Sequence, residues 1–256
     1  MAGKKSVKST LKESLALQVK AQQFYGYADR FNRVPLFISL LLSNAGAESA
    51  ENIDVVIENG NGFLVPFSRH FEEIPYESSV EIEAADIASP LYLTELSDIR
   101  EETVLIRVLH GKDVVAETSV RVVVLPFDFW SGRSGNAELL TSFVRPKVAD
   151  CLRVLDDARA QLKKWNTDTE WRGYQEGDKN KIRLLAAAIY AAVKRQAVEK
   201  SAAEYSYDAP VPVGDITKIL KNKVGTSFEL VLFLASCFEC AGLHPVVAMG
   251  EKSVSC

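Results

Sequence analysis

Residues 224–245 read VGTSFELVLFLASCFECAGLHP, and their reading decides the fold of the C-terminal half. Gly225 is a loop glycine that leads into Thr226 and Ser227. A strongly apolar helix over 226–241 follows and stops at Gly242. Glu229 and Glu239 interrupt its apolar run, and no run in the chain reaches the roughly 18–20 residues of a membrane span. The segment is therefore expected to be a buried core helix. Leu230, Val231, Leu232, Phe233 and Leu234 point in most directions around it, so it needs apolar cover on several sides.

The chain has 256 residues, 47% apolar and 25% charged, with a net charge of −4. These are the proportions of a globular protein of one or two domains. The acidic balance argues against a nucleic-acid binder by bulk electrostatics. The start, MAGKKSVKSTLK, carries four lysines and no apolar core. It predicts a disordered basic tail over 1–14, not a secretory signal. The four cysteines are Cys151, Cys237, Cys240 and Cys256. Cys237 and Cys240 form a CxxC, but near the end of a helix, where no thiolate is stabilised, and no second pair or histidine cluster completes a zinc set. Buried structural thiols, a reduced cytoplasmic setting, and no metal or cofactor are expected.

Outward from the helix, the pattern changes at Pro126. Before it, apolar residues alternate: Leu15, Leu17, Val19 and Ala21 begin the series. Further strand candidates are 35–43, 52–57, 63–67, 79–84 and 90–93. A hairpin over 103–125 turns at Gly111-Lys112-Asp113. Short strands at this spacing predict an immunoglobulin-like β-sandwich over 15–126. The cluster Phe127, Phe129 and Trp130 reads as a joint between domains. Over 127–256 the period is helical. Asn136 is a candidate cap for a short helix. Val148, Leu152, Leu155, Ala158, Leu162 and Trp165 mark one face of the next. Asp178 is a candidate cap for a third helix, buried along Ile182, Leu185, Ile189 and Val193. A short helix over 216–222 precedes Gly225, and 246–249 reads as a strand. The fold class is thus α+β.

The strings FDFWSG, ELLTSFVRPK, VLDDARAQLKKW, YQEGDKNKIRLLAAAIYAAV and VGTSFELVLFLASCFECAGLHPVV, in that order, resemble the N-terminal region of very large bacterial helicase-related proteins. In those, a β-sandwich and a transglutaminase-like module precede a superfamily-1 helicase and a short-patch-repair-type nuclease. The resemblance covers most of residues 20–250 and is best from Phe127 onward. It implies that a cysteine nucleophile opens the helix, activated by the helix N-terminus and a histidine from a later strand. Here the nucleophile slot holds Ser227, and the histidine slot, by register, holds Lys252 or Ser253. An aspartate in the third slot would lie beyond Cys256. No helicase segment and no phosphate-loop pattern is present in these residues. The resemblance therefore implies a truncated transglutaminase-like module without its catalytic groups.

A serine hydroxyl needs a base within hydrogen-bond reach. His70 and His110 fall in the sandwich segment, and His244 falls at the far end of the helix. Ser227 is expected to be a helix cap and the chain a pseudoenzyme. Val246, Val247 and Met249 would form an apolar strand edge without a next strand, which must be covered or recruit a partner. The expected role is a non-catalytic interaction or scaffold module, in a bacterial nucleic-acid-processing or phage-defence setting by resemblance. Its partner protein or second copy would dock at 246–249, with Phe129 and Trp130 as further candidates. Two alternatives stay open: a hydrolase completed by another chain, and a nucleic-acid-binding accessory domain.

Overall fold

A computed structural model describes residues 7–203, 205–250 and 254–256. It is α+β and divides into two units, Met1–Ser131 and Gly132–Cys256, each with its own apolar core. Phe127, Phe129 and Trp130 thus fall in the first unit. Trp130 is buried, Phe129 half-buried and Phe127 exposed.

The first unit runs α1 (Val7–Ser14), β1 (Leu15–Ala21), β2 (Phe24–Gly26), α2 (Tyr27–Phe31), β3 (Phe37–Asn44), β4 (Ala50–Glu58), β5 (Phe67–Ile74), β6 (Ser78–Glu81), α3 (Pro90–Glu95), β7 (Arg100–His110), β8 (Asp113–Leu125) and β9 (Phe129–Trp130). One sheet has the order β1-β3-β6 and another the order β2-β8-β7-β4-β5. These pairings are antiparallel except β2 with β8. Alternation explains the core. Leu40 and Leu42 from the first sheet, and Ile53, Val55, Ile57, Val104, Ile106, Val108, Val122 and Val124 from the second, all enter one cluster. The β7–β8 hairpin turns through Gly111, at φ +61, between the paired His110 and Asp113, as a two-residue turn with glycine first requires.

Several expectations change. Residues 1–6 of the expected tail lie outside the described residues, and 7–14 form a helix whose Leu11 is buried, not a disordered stretch. Residues 90–93 are helical, because Ser89 caps the turn by accepting the Tyr92 amide (3.3 Å) and Pro90 occupies the first turn. The strand sought at 63–67 begins only at Phe67. β5 is an edge strand whose residues are mostly solvent-facing, so it carries almost no apolar alternation.

The buried carboxylate of Glu102 ties this unit's loops together. It accepts from the Tyr92 hydroxyl (2.5 Å) on one oxygen and from Asn59 and Asn61 Nδ2 (3.0 Å each) on the other.

The second unit runs through a 3₁₀ turn (Ala137–Phe143), α4 (Ala149–Lys164), α5 (Gly173–Glu176), α6 (Lys179–Arg195), β10 (Glu199–Lys200), β11 (Val211–Pro212), α7 (Ile216–Asn222), β12 (Val224–Gly225), α8 (Ser227–Cys240), β13 (Ala248–Met249) and β14 (Val254–Ser255). Asp178 caps α6 by accepting the amides of Asn180 (2.8 Å) and Lys181 (3.2 Å). The side chain of Asn136 makes no capping bond to the 3₁₀ turn. The core is built from Cys151, Val154, Leu155, Ala158 and Leu162 of α4, Leu185, Ala188, Ile189 and Ala192 of α6, and Phe233 and Cys237 of α8. The α4 stripe is turned from the expected one: Leu152 and Trp165 are exposed, and Cys151 and Val154 take the buried face.

Candidate functional site

The two ends of α8 carry the candidate residues. At its N-terminus, Gly225 packs so closely that an added Cβ would meet Ile219 Cγ2 at 3.0 Å. Thr226 is the cap, not Ser227. Thr226 Oγ1 accepts the Glu229 amide (3.2 Å), and the Glu229 carboxylate accepts the Thr226 amide (2.7 Å) and hydroxyl (2.9 Å). This capping box places a carboxylate where a thiolate's stabilising field would act. Ser227 is the first helical residue, half-buried, and its hydroxyl makes no hydrogen bond among the described residues. It lines a polar cleft of about 920 Å³ with Arg133, Lys200, Tyr205, Tyr207 and Asp208. Arg133 Nε donates to Asp208 Oδ1 at 3.0 Å, so that cation is already paired.

Nothing in this unit supplies Ser227 with an imidazole among the described residues. The unit's one histidine, His244, follows the opposite end of α8, about 20 Å away at 1.5 Å per residue. Its ring stacks on Tyr174 with centroids 5.6 Å apart, and its Nδ1 lies 3.6 Å from Glu239. Lys252 and Ser253, the histidine-slot candidates, lie outside the described residues.

The C-terminus of α8 closes with Gly242 at φ +74. There the Leu243 amide donates to Phe238 O (2.9 Å) and the Gly242 amide to Glu239 O (3.0 Å). This turn directs Pro245–Met249 back along the helix. The expected strand over 246–249 is reduced to Ala248–Met249, and it is paired, antiparallel, with Val254–Ser255. Val246, Val247 and Met249 instead line an apolar groove of about 620 Å³. The 3₁₀ turn contributes Leu140, and α8 contributes Ala235 and Glu239. Val246 is 79% exposed. Among the described residues, the charged groups of the lining are Glu138 and Glu239, with no lysine or arginine. The 3₁₀ segment's share in this groove was not expected from the sequence. It lies about a hundred residues from 235–249, and nothing in its sequence ties it to them.

The two thiols of the CxxC sit in different surroundings, Cys237 buried and Cys240 half-buried. Cys237 faces Cys151 across the α4–α8 interface, and that contact, with burial, pushes the Cys237 thiol far above its ordinary pKa. Cys151 Sγ in turn donates to Arg145 O (3.8 Å). A thiol so held stays protonated at neutral pH. Among the described residues, no group of three histidine, cysteine, aspartate or glutamate side chains could hold a metal ion. Among the described residues, no helix is long and apolar enough to cross a membrane.

Compared with protein-family models and with curated proteins, the chain matches none.

Proposed function

We propose that this chain is a non-catalytic interaction module and that the groove beside Val246 is its contact surface. The observation carrying the proposal is the exposed apolar lining at 246–249, next to a helix end already sealed by its own capping turn. An apolar side chain left in water forgoes roughly 1.5–3 kcal/mol of burial, so a groove of this kind gains from an occupant. Among the described residues the lining carries two carboxylates and no cation, so the fitting occupant is an apolar segment of a partner protein that bears a lysine or arginine.

The pseudoenzyme reading is supported by Ser227, which lacks a hydrogen-bonded base, and by Glu229, whose carboxylate occupies the helix N-terminus. An immunoglobulin-like first unit is supported by the grouping of β1, β3 and β6 apart from β2, β8, β7, β4 and β5. A transglutaminase-like second unit is supported by the Gly225-Thr226-Ser227 entry into a buried helix. The nucleic-acid-processing or phage-defence setting rests on the resemblance alone.

Selection from a displayed peptide library against the whole chain tests the groove. The expected peptides are apolar with a basic residue, and a Val246→Lys variant, which removes apolar contact and repels that residue, should lose them. Peptides that bind both proteins equally, or a chain that selects none, would remove the proposal's support. Selection of acidic peptides would overturn the partner's stated chemistry.

A further inference from the structure

The net charge of −4 conceals an uneven distribution. Residues 1–131 hold 12 basic and 19 acidic residues, whereas residues 132–256 hold 18 basic and 15 acidic. The second unit is therefore basic on its own. Part of that excess gathers around one depression of about 310 Å³ between α4 and α7, lined by Asp150, Arg153, Gln196, Thr217, Lys221 and Lys223.

The one carboxylate among the described lining residues is already committed. Asp150 is buried, and its oxygens accept from Arg153 Nη1 (2.9 Å) and Thr217 Oγ1 (2.8 Å). It fixes the guanidinium in place without cancelling the whole cluster. The Arg153 side chain remains 77% exposed, with donors to spare. Lys223 sits at φ +57, in the left-handed region where glycine is the usual occupant of a helix end. Its Nζ donates to Gln196 O (2.7 Å), one of three bonds an ammonium can make. Lys221 makes no ion pair or hydrogen bond among the described residues.

We infer that this depression binds a phosphate group, through Arg153, Lys221 and Lys223. A guanidinium held by a buried acid offers a planar fork for phosphate oxygens, and two ammonium groups beside it supply point charges. The phosphate could belong to a polynucleotide strand or to a free nucleotide, since the chemistry is shared. The inference is independent of the apolar groove.

The test is fluorescence anisotropy of the whole chain with a labelled single-stranded oligonucleotide, and separately with a labelled ATP analogue. Each is run between about 50 and 200 mM salt. Binding should weaken with salt. Lys221→Glu should lower it by about eightfold or more at 50 mM and about threefold or more at 200 mM, the loss of one phosphate contact. Lys112→Glu, the same charge change in the β7–β8 turn of the first unit, should leave binding unchanged. Oligonucleotide binding without ATP binding identifies a strand as the source, and ATP binding identifies the nucleotide. Lys221 is exposed, so a circular-dichroism melt of Lys221→Glu should match that of the parent. If neither probe binds, or if Lys112→Glu weakens binding as much as Lys221→Glu, the site is refuted.

Discussion

Thr226 and Glu229 hold each other at the head of α8. The threonine hydroxyl accepts the glutamate amide at 3.2 Å, and the carboxylate accepts the threonine amide at 2.7 Å. The neighbouring Ser227 is left outside this exchange. Thr226→Ala should therefore cost about 0.5–2 kcal/mol, the value of a lost cap, while Ser227→Ala should change stability by no more than about 0.5 kcal/mol. Urea unfolding of both variants checks the assignment, and equal losses would return the capping role to Ser227. Ser227→Cys, with no histidine beside it, should not gain esterase activity on an activated ester.

Glu102 offers a pH-dependent counterpart in the first unit. Burial pushes its pKa up, but the hydrogen bonds from Tyr92, Asn59 and Asn61 outweigh this and hold it below the usual carboxylate range. A depressed folded-state pKa stabilises the fold fully above the unfolded value, about 4.3 for glutamate. That stability is lost as pH falls through the folded value. Glu102→Gln leaves three donors with one acceptor oxygen. It should destabilise the protein at neutral pH by about 1–3 kcal/mol and flatten the acid limb of a melting-temperature profile. An unaltered acid limb would show that the network does not control it.

Gly132 tests a close approach inside the second unit. It has φ +83, and a Cβ there would meet Ala209 O at 2.4 Å. Neither conformation nor space accepts a side chain, and backbone cannot yield as a flexible side chain can. Gly132→Ala should cost about 1–3 kcal/mol. Gly60→Ala, with nothing within 4 Å of the added methyl, is the control, and thermal melts of the two should differ clearly.

What could be read from the sequence follows the strength of local chemistry. The sequence marks α7 at 216–222, and Asp178 caps α6 as expected, because aspartate before a periodic helix satisfies its free amides. The β7–β8 hairpin was visible in its alternation and its Gly111 turn. At 90–93 the alternation of Leu91 and Leu93 points to a strand, and only the Ser89-Pro90 start marks the helix that forms there. In α4 the periodicity sets Leu152 on the buried face, where the fold places Cys151 and Val154. Apolar residues occur on both faces, and the contact with α8 chooses between them. The groove was half legible. The apolar run at 246–249 announced itself, but its other wall comes from the distant 3₁₀ turn, which only tertiary packing brings there.

That groove carries the last prediction. Val246 is 79% exposed while Val247 and Met249 are half-buried, so the first can be altered with little effect on folding and the second less freely. If the face docks a basic-apolar segment, Val247→Lys should act in two ways: it removes apolar contact and adds a cation beside Glu239, repelling the occupant's own cation. Glu138→Lys, exposed on the opposite wall, should weaken the contact by charge alone, with the larger effect at low salt. Isothermal titration with a selected basic-apolar peptide would read both, and light scattering of the free chain would read self-association through the same face. The expected result is peptide affinity lowered by both variants while the chain alone stays monomeric. Association of the chain with itself, lost in Val247→Lys, would identify a second copy as the occupant. A peptide that binds all three proteins equally would place the interaction elsewhere on the molecule.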